Sequence, residues 1–215
     1  KDWWLYRGLF GCRRTISGMY LFIILSRNME VHLIRHTPVK VSSKICYGRL
    51  DVPLSENFHS DINKIKKKLT KKYDIIYSSP SKRCIFLAEA LDIGQYQIDD
   101  RLLEINFGDW EGLKWNEINK VKLNNWMEDF VNISPPNGES FNNMYIRITE
   151  FIKILRIENF NKVLIVTHSG VIRCFLAYFL KFPLINSFKI PIGFNGHYIF
   201  KLDSKPQLDS IIKLT

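Results

Sequence analysis

The chain has 215 residues, of which 46% are hydrophobic, 13% aromatic and 24% charged, with a formal net charge of +10 at pH 7. Such a length and apolar content suit one domain with a sizeable core and exclude a disordered chain. No apolar run approaches the roughly 18 residues of a membrane-spanning helix, and the positive charge favours anionic partners without choosing among them.

Residues 1–28 stand apart. They hold two tryptophans, five basic residues against one acidic, and a short apolar run over 19–25. Arg13 and Arg14 precede that run as in a signal peptide, but Ser26, Arg27 and Asn28 offer no small-residue cleavage site. The expectation is that Met29 is the natural first residue and that 1–28 are an upstream read-in or cloning remnant. The catalytic domain is then 29–215, with a net charge of +6.

From Met29 onward, strand and helix patterns alternate. "EVHLIR" (30–35) reads as a strand. Residues 55–70 read as a helix with Ser55 as N-cap. Phe58, Ile62, Ile65 and Leu69 recur there at helical spacing between the lysines of "INKIKKKLTKK", which makes the lysine run a solvated face. "YDIIYSS" (73–79) is a second strand, and "SKRCIFLAEAL" (81–91) a helix opened by Pro80 and Ser81. A short strand is expected over 95–99. A loop with Gly108 and Gly112 leads to a helical stretch near 115–130. "ISPPNGES" (133–140) is a loop by its Pro, Asn and Gly, followed by a helix over 140–157. "KVLIVTH" (162–168) is the most apolar strand, "GVIRCFLAYFL" (170–180) an apolar helix, and 196–202 and 210–215 are candidate strands.

Near-continuous apolar strands alternating with helices predict an α/β fold of three layers, a mostly parallel central sheet with helices on both faces. Ligands bind such sheets beyond the carboxyl ends of the strands. Arg35 and His36, Ser78 and Ser79, and Thr167 and His168 all fall at strand ends. Arg83, in the first turn of the helix after "YSSP", reaches back to the same edge, and Glu104 comes from the loop after the third strand. Two arginines and two histidines around one point make a site for a phosphate dianion. The helix starts after Pro80 and at Ser169 are expected to add partial positive charge.

Guanidinium neighbours disfavour protonation of an imidazole, so one ring there would be neutral at pH 7 and free to attack phosphorus. Arg35, Arg83 and His168 would hold the equatorial oxygens. Glu104 would protonate the leaving oxygen and later take a proton from the attacking water. Asp109 and Glu111 lie close enough in sequence to compete for that role. Tyr47 and Gly48 either line the substrate pocket or form a turn. His32 faces away from the edge, and His59 and His197 show no evident partners. A metal centre on His36, His168 and Glu104 is disfavoured by the two fixed cations and by the lack of HxxxH or HxH spacing. Thr167 breaks a GxSxG pattern around Ser169, and no P-loop is present. Among the four cysteines, Cys46 and Cys84 lack the arginine five residues on that a cysteine phosphatase needs. None of Cys12, Cys46, Cys84 and Cys174 forms a CxxC pair, Cys84 and Cys174 read as core thiols, and a reducing cytoplasm is the default.

"LIRHT", "YSSPSKRCIFLAEAL" and "VLIVTHSGVIR" together resemble the signature blocks of the histidine phosphatase superfamily, also called phosphoglycerate mutase-like. "ICYGRLDVPLS", "LLEINFGDWEG" and "PPNGESF" are similar to those of α-ribazole phosphatases, which remove the 5′-phosphate of α-ribazole phosphate during assembly of the lower ligand of cobalamin. The resemblance covers residues 29 to about 180. It implies His36 as the phosphorylated nucleophile, Arg35, Arg83 and His168 as phosphate ligands, Glu104 as proton donor, and no metal; Thr37, Tyr47 and Gly48 stand beside these as candidate substrate contacts, and no cofactor is expected. The partner is then a small phosphorylated metabolite, with neither nucleic acid nor membrane involved. A broad small-molecule phosphatase is the alternative, with a mutase third; a non-catalytic phosphate-ligand or RNA-binding module that keeps the fold is the reading from another class, and intact His36 and Glu104 speak against it. Three positions depart from the pattern: Thr37 and Ser169 stand where Gly is common, and Asn137 replaces a Gly before "GES".

Overall fold

The computed structural model describes residues 28–214, so the expectation about residues 1–27 lies outside the described residues. Six strands form one sheet: β1 (Asn28–Arg35), β2 (Ile75–Ser78), β3 (Gln97–Ile98), β4 (Lys162–Thr167), β5 (His197–Asp203) and β6 (Ser210–Lys213), in the spatial order β3-β2-β4-β1-β5-β6. β3, β2, β4 and β1 run parallel, whereas β5 pairs antiparallel with β1 and β6 antiparallel with β5. Five α-helices accompany them: α1 (Phe58–Lys66), α2 (Lys82–Leu91), α3 (Lys120–Glu128), α4 (Phe141–Ile157) and α5 (Ser169–Leu180).

The strand period of two divides the core between the two faces. Val31, Leu33, Val163, Ile165 and Phe200 pack with Met144, Ile148 and Phe151 of α4 and Ile172 and Phe175 of α5. Ile34, Ile76, Leu164 and Val166 pack on the other face with Ile62 and Ile65 of α1 and Leu87 and Leu91 of α2. Both faces of β1 and β4 are therefore covered, which is why β4 reads as an apolar run and β1 is broken only at Glu30 and His32. The predicted three-layer α/β arrangement is the one observed.

Several boundaries move. The first strand begins at Asn28, inside the segment expected to precede the domain. α1 starts at Phe58 after Asn57, not after Ser55; the Ser55 hydroxyl instead accepts from the Asn57 N–H at 3.3 Å, closing a local turn. The stretch expected helical over 115–130 is helical only over Lys120–Glu128, because Asn119 caps it by accepting from the N–H groups of Val121 and Lys122 at 3.1 Å each. Ser140 caps α4 in the same way, accepting from the Asn143 N–H at 3.1 Å. Among the described residues, no helix is long and apolar enough to cross a membrane.

Candidate active site

Register brings the strand ends level. Arg35 lies opposite Thr167 across β1 and β4, and Ser78 lies opposite Val166 across β2 and β4. The residues that follow each strand, His36, Ser79 and His168, therefore meet at one edge. His36 and His168 are buried, with ring centroids 5.2 Å apart and planes at 64°.

Arg83 ties this edge together. It sits in the first turn of α2 and is 1% exposed. Its Nη1 donates to the Leu50 carbonyl at 3.0 Å and its Nη2 to the Gly48 carbonyl at 2.5 Å. Its Nε lies 3.3 Å from His36 Nε2, and its Nη2 lies 3.2 Å from His168 Nδ1. A guanidinium only donates, so both imidazole nitrogens must present lone pairs to it. The remaining ring protons are then fixed. His36 Nδ1–H donates to the Thr37 carbonyl at 2.8 Å, and His168 Nε2–H donates to Ser79 Oγ at 2.7 Å. Both rings are neutral. Burial holds each well below the ordinary histidine pKa, with the Arg83 guanidinium next in effect and Arg35 also contributing.

Arg35 closes another side. Its Nη1 donates to the Ile192 carbonyl at 2.6 Å, and its guanidinium lies 3.7 Å over the ring of Phe194. Its Nε is buried without a partner among the described residues. The Thr37 hydroxyl is likewise buried and unpartnered. Both groups flank His36 in the chain.

Glu104 stands at the start of α5. Its carboxylate accepts from Ser169 Oγ at 3.2 Å and from the N–H groups of Gly170 at 3.1 Å and Ile105 at 3.2 Å. The positive end of α5 is therefore engaged by Glu104, and the Lys82 N–H at the start of α2 is engaged by Asp51 at 3.2 Å. At each helix start expected to add positive charge, one backbone N–H is thus taken by a carboxylate of this chain. The competing carboxylates are committed elsewhere. Glu111 accepts from four backbone N–H groups, those of Gly48, Arg49, Leu50 and Phe107, at 2.9–3.1 Å. Exposed Asp109 accepts from the Asn137 amide at 3.0 Å. That amide explains one departure from the family pattern: Asn137 has φ 56°, a left-handed conformation in which Asn substitutes for Gly at little cost.

Tyr47 and Gly48 part company in the structure. Gly48 belongs to the turn held by Glu111, and a Cβ there would fall 2.0 Å from the Ile105 carbonyl oxygen. Tyr47 lines a cavity of about 110 Å³ next to Glu104, whose other walls include Phe107, Phe141, Phe188 and Arg173. Arg173 is anchored by its Nε donating to the Ser187 carbonyl at 3.1 Å, with its guanidinium 4.9 Å over Phe188.

Arg173, Ser79, Phe194 and Cys84 are absent from the sequence-based site. Arg173 carries only the weak signal of lying one turn beyond Ser169 on α5. Ser79 follows the end of β2 and marks the sheet edge in the sequence without signalling a bond to His168. Phe194 carries no signal in its own neighbourhood. Cys84 is a buried thiol as expected, but its Sγ lies 3.5 Å from His168 Nε2, and burial pushes its pKa up to about 12. His197, expected to lack a partner, has one: its Nε2 lies 2.9 Å from His32 Nδ1, which also lies 3.1 Å from the Tyr73 hydroxyl. Among the described residues, no group of three or more His, Cys, Asp or Glu is placed to hold a metal ion.

The chain is 30% identical over 169 residues to a Hydrogenobacter thermophilus protein named "Putative phosphoserine phosphatase 2", covering 75% of this chain and 83% of that one. It is 25% identical over 167 residues to the adenosylcobalamin/alpha-ribazole phosphatase of Escherichia coli, covering 72% and 81%. The crystal structure of the alpha-ribazole phosphatase from Shigella flexneri superposes with a TM-score of 0.78 at 22% identity, covering 86% of this chain and 96% of that one, which bears on the fold alone. The family model of the histidine phosphatase superfamily (branch 1) matches residues 31–208. The chain belongs to the histidine phosphatase superfamily and is a phosphatase.

Proposed function

We propose that the protein is a phosphomonoesterase working through a phosphohistidine on His36, with α-ribazole 5′-phosphate as its substrate. The observation that carries the chemistry is the state of His36. Its Nδ1 proton is committed to the Thr37 carbonyl, and its Nε2 lone pair is held neutral beside Arg83. That nitrogen attacks phosphorus as the bond to the leaving oxygen breaks. Glu104, as a carboxylic acid, gives its proton to the leaving oxygen. Arg83 and the free Nε of Arg35 neutralise charge on the equatorial oxygens, and His168 holds the far side of the cradle. In the second half, Glu104 takes a proton from water while the water oxygen attacks phosphorus and releases His36. Inorganic phosphate leaves, and no other reactant is required.

The substrate proposal rests on the cavity beside Glu104. Tyr47, Phe107, Phe141 and Phe188 offer ring faces and edges to a flat aromatic base, which suits the base of α-ribazole. A second reading is favoured by Arg173 in the same wall: a cation there suits a small phosphate ester that carries a carboxylate, such as phosphoserine. Steady-state kcat/KM on α-ribazole 5′-phosphate, phosphoserine, sugar phosphates and mononucleotides tests both. A preference for the first supports the cobalamin role. A preference for phosphoserine replaces it, and a flat profile leaves a broad phosphatase. The chemistry is tested separately by rapid quenching during turnover, which should trap an acid-labile, base-stable phosphoryl group that His36→Ala abolishes.

A further inference from the structure

The segment between α5 and β5 delivers an aromatic ring to the phosphate cradle. Phe194 remains 39% exposed, so burial alone does not explain its place. Its ring lies 3.7 Å from the Arg35 guanidinium carbon and 5.7 Å from the His36 ring centroid. The turn that carries it is closely held. Asn195 takes a left-handed φ of 57°, and the Gly196 carbonyl accepts from the Arg35 N–H at 3.3 Å. The Lys68 ammonium donates to the Asn195 carbonyl at 3.2 Å. Ile192, two residues before Phe194, supplies the carbonyl that receives Arg35 Nη1. A single turn therefore grips Arg35 by its backbone N–H, by one terminal nitrogen and by the face of its guanidinium.

We propose that Phe194 is a positioning residue for the phosphoryl transfer: its ring fixes the plane of Arg35 so that Nε faces the phosphate, and it screens His36 from solvent. The inference rests on His36 being the nucleophile. A planar guanidinium stacks well on a ring face, and the stacked group loses little freedom when it then binds an oxyanion. Without the ring, Arg35 keeps the bond to Ile192 but rotates about it. The charged and titratable groups facing His36 are Arg35 on β1, Arg83 on α2 and His168 at the cap of α5. Loss of the ring weakens two influences on His36 at once, the exclusion of water and the nearness of Arg35. Both changes raise the pH at which His36 takes up a proton.

The test is the pH dependence of p-nitrophenyl phosphate turnover by the full chain, in wild type, F194A, F194L, F194W and H36A. Misplacing one group of a transfer site costs on the order of 10- to 100-fold, so F194A should lose kcat by that factor with little change in KM. The acidic limb of its profile should move to higher pH. F194L fills the same space without a π face and should lose kcat like F194A; it also carries the test if F194A does not fold. F194W should restore both rate and limb. Wild-type kcat and limb in F194L overturn the proposal, as does a change confined to KM, which would make the ring a contact for the leaving group. Full turnover by H36A would instead overturn the nucleophile assignment beneath it, whatever the Phe194 variants do.

Discussion

At the scale of single residues, the site is organised by where lone pairs and protons are forced to lie. His36 is neutral because burial and two guanidinium groups oppose its charging. Activity that needs the free Nε2 should therefore persist as pH falls through the ordinary histidine value of about 6.5. The acidic limb of kcat/KM should lie below that value, measurable with p-nitrophenyl phosphate in constant-ionic-strength buffers. Arg83 holds two carbonyls and two imidazoles with one planar fork, which the point charge of lysine cannot reproduce. Arg83→Lys should lower kcat/KM by about 100-fold or more. General acid–base assistance contributes about 10²- to 10⁴-fold, and Glu104→Gln should separate the two half-reactions. Nitrophenolate needs no proton to depart, so the first turnover should stay fast while hydrolysis of the phosphoenzyme slows. The expected record is a burst of nitrophenolate, one equivalent per site, before a slow steady state. The histidines and arginines were readable from the sequence because they fall where apolar runs stop. Ser79, Arg173 and Phe194 were not, because their roles depend on which loops meet across 80 to 160 positions of chain.

At the scale of elements, two half-buried carboxylates hold the loops that shape the cavity beside Glu104. Glu111 gathers four backbone N–H groups from the turn at residues 48–50 and from Phe107. Glu139 accepts from Arg147 at 2.7 Å, from Arg49 at 3.1 Å and from the Asn106 N–H at 3.0 Å. Bonds to a charged acceptor contribute roughly 1.5–3 kcal/mol when lost. Glu111→Ala should accordingly destabilise the fold by about 3 kcal/mol in urea unfolding and raise KM, since Tyr47 and Phe107 would lose their common anchor. The sequence showed Glu111 only as a rival proton donor. Its real partners are backbone groups, which leave no trace in residue identity. Helix existence and order were legible from apolar spacing, whereas the start of α3 was missed because Trp115 continues the apolar pattern. That ring lies in the preceding loop, where it packs edge-to-face on Phe107, and Asn119 supplies the true start.

At the scale of the whole molecule, the sheet carries a second histidine pair away from the catalytic edge. His32 on β1 and His197 on β5 sit side by side, and burial lowers both pKa values, His197 to about 4. In the unfolded chain each would titrate near 6.5. Between about pH 6.5 and 4 the unfolded state therefore binds more protons than the folded one, and stability falls as the solution is acidified. The thermal midpoint should drop from pH 7 to pH 5. A His197→Phe variant, which removes one of the titrating rings, should drop less over the same range, as followed by differential scanning calorimetry. The α/β architecture was legible because both faces of β1 and β4 are apolar. The direction of β5 was not, since an antiparallel neighbour and a parallel one place the same residues on the same faces.

That reversal has a consequence for how such an enzyme diversifies. In an all-parallel sheet, only stretches leaving a strand arrive where chemistry happens. β5 points the other way, so it is the stretch entering it, from Leu180 to Gly196, that reaches the reacting centre. This inlet carries Phe188 at the cavity wall and Ile192 and Phe194 at Arg35, so the cavity side chain can be exchanged to suit a new ester while Phe194 and the proposed reacting residues stay untouched.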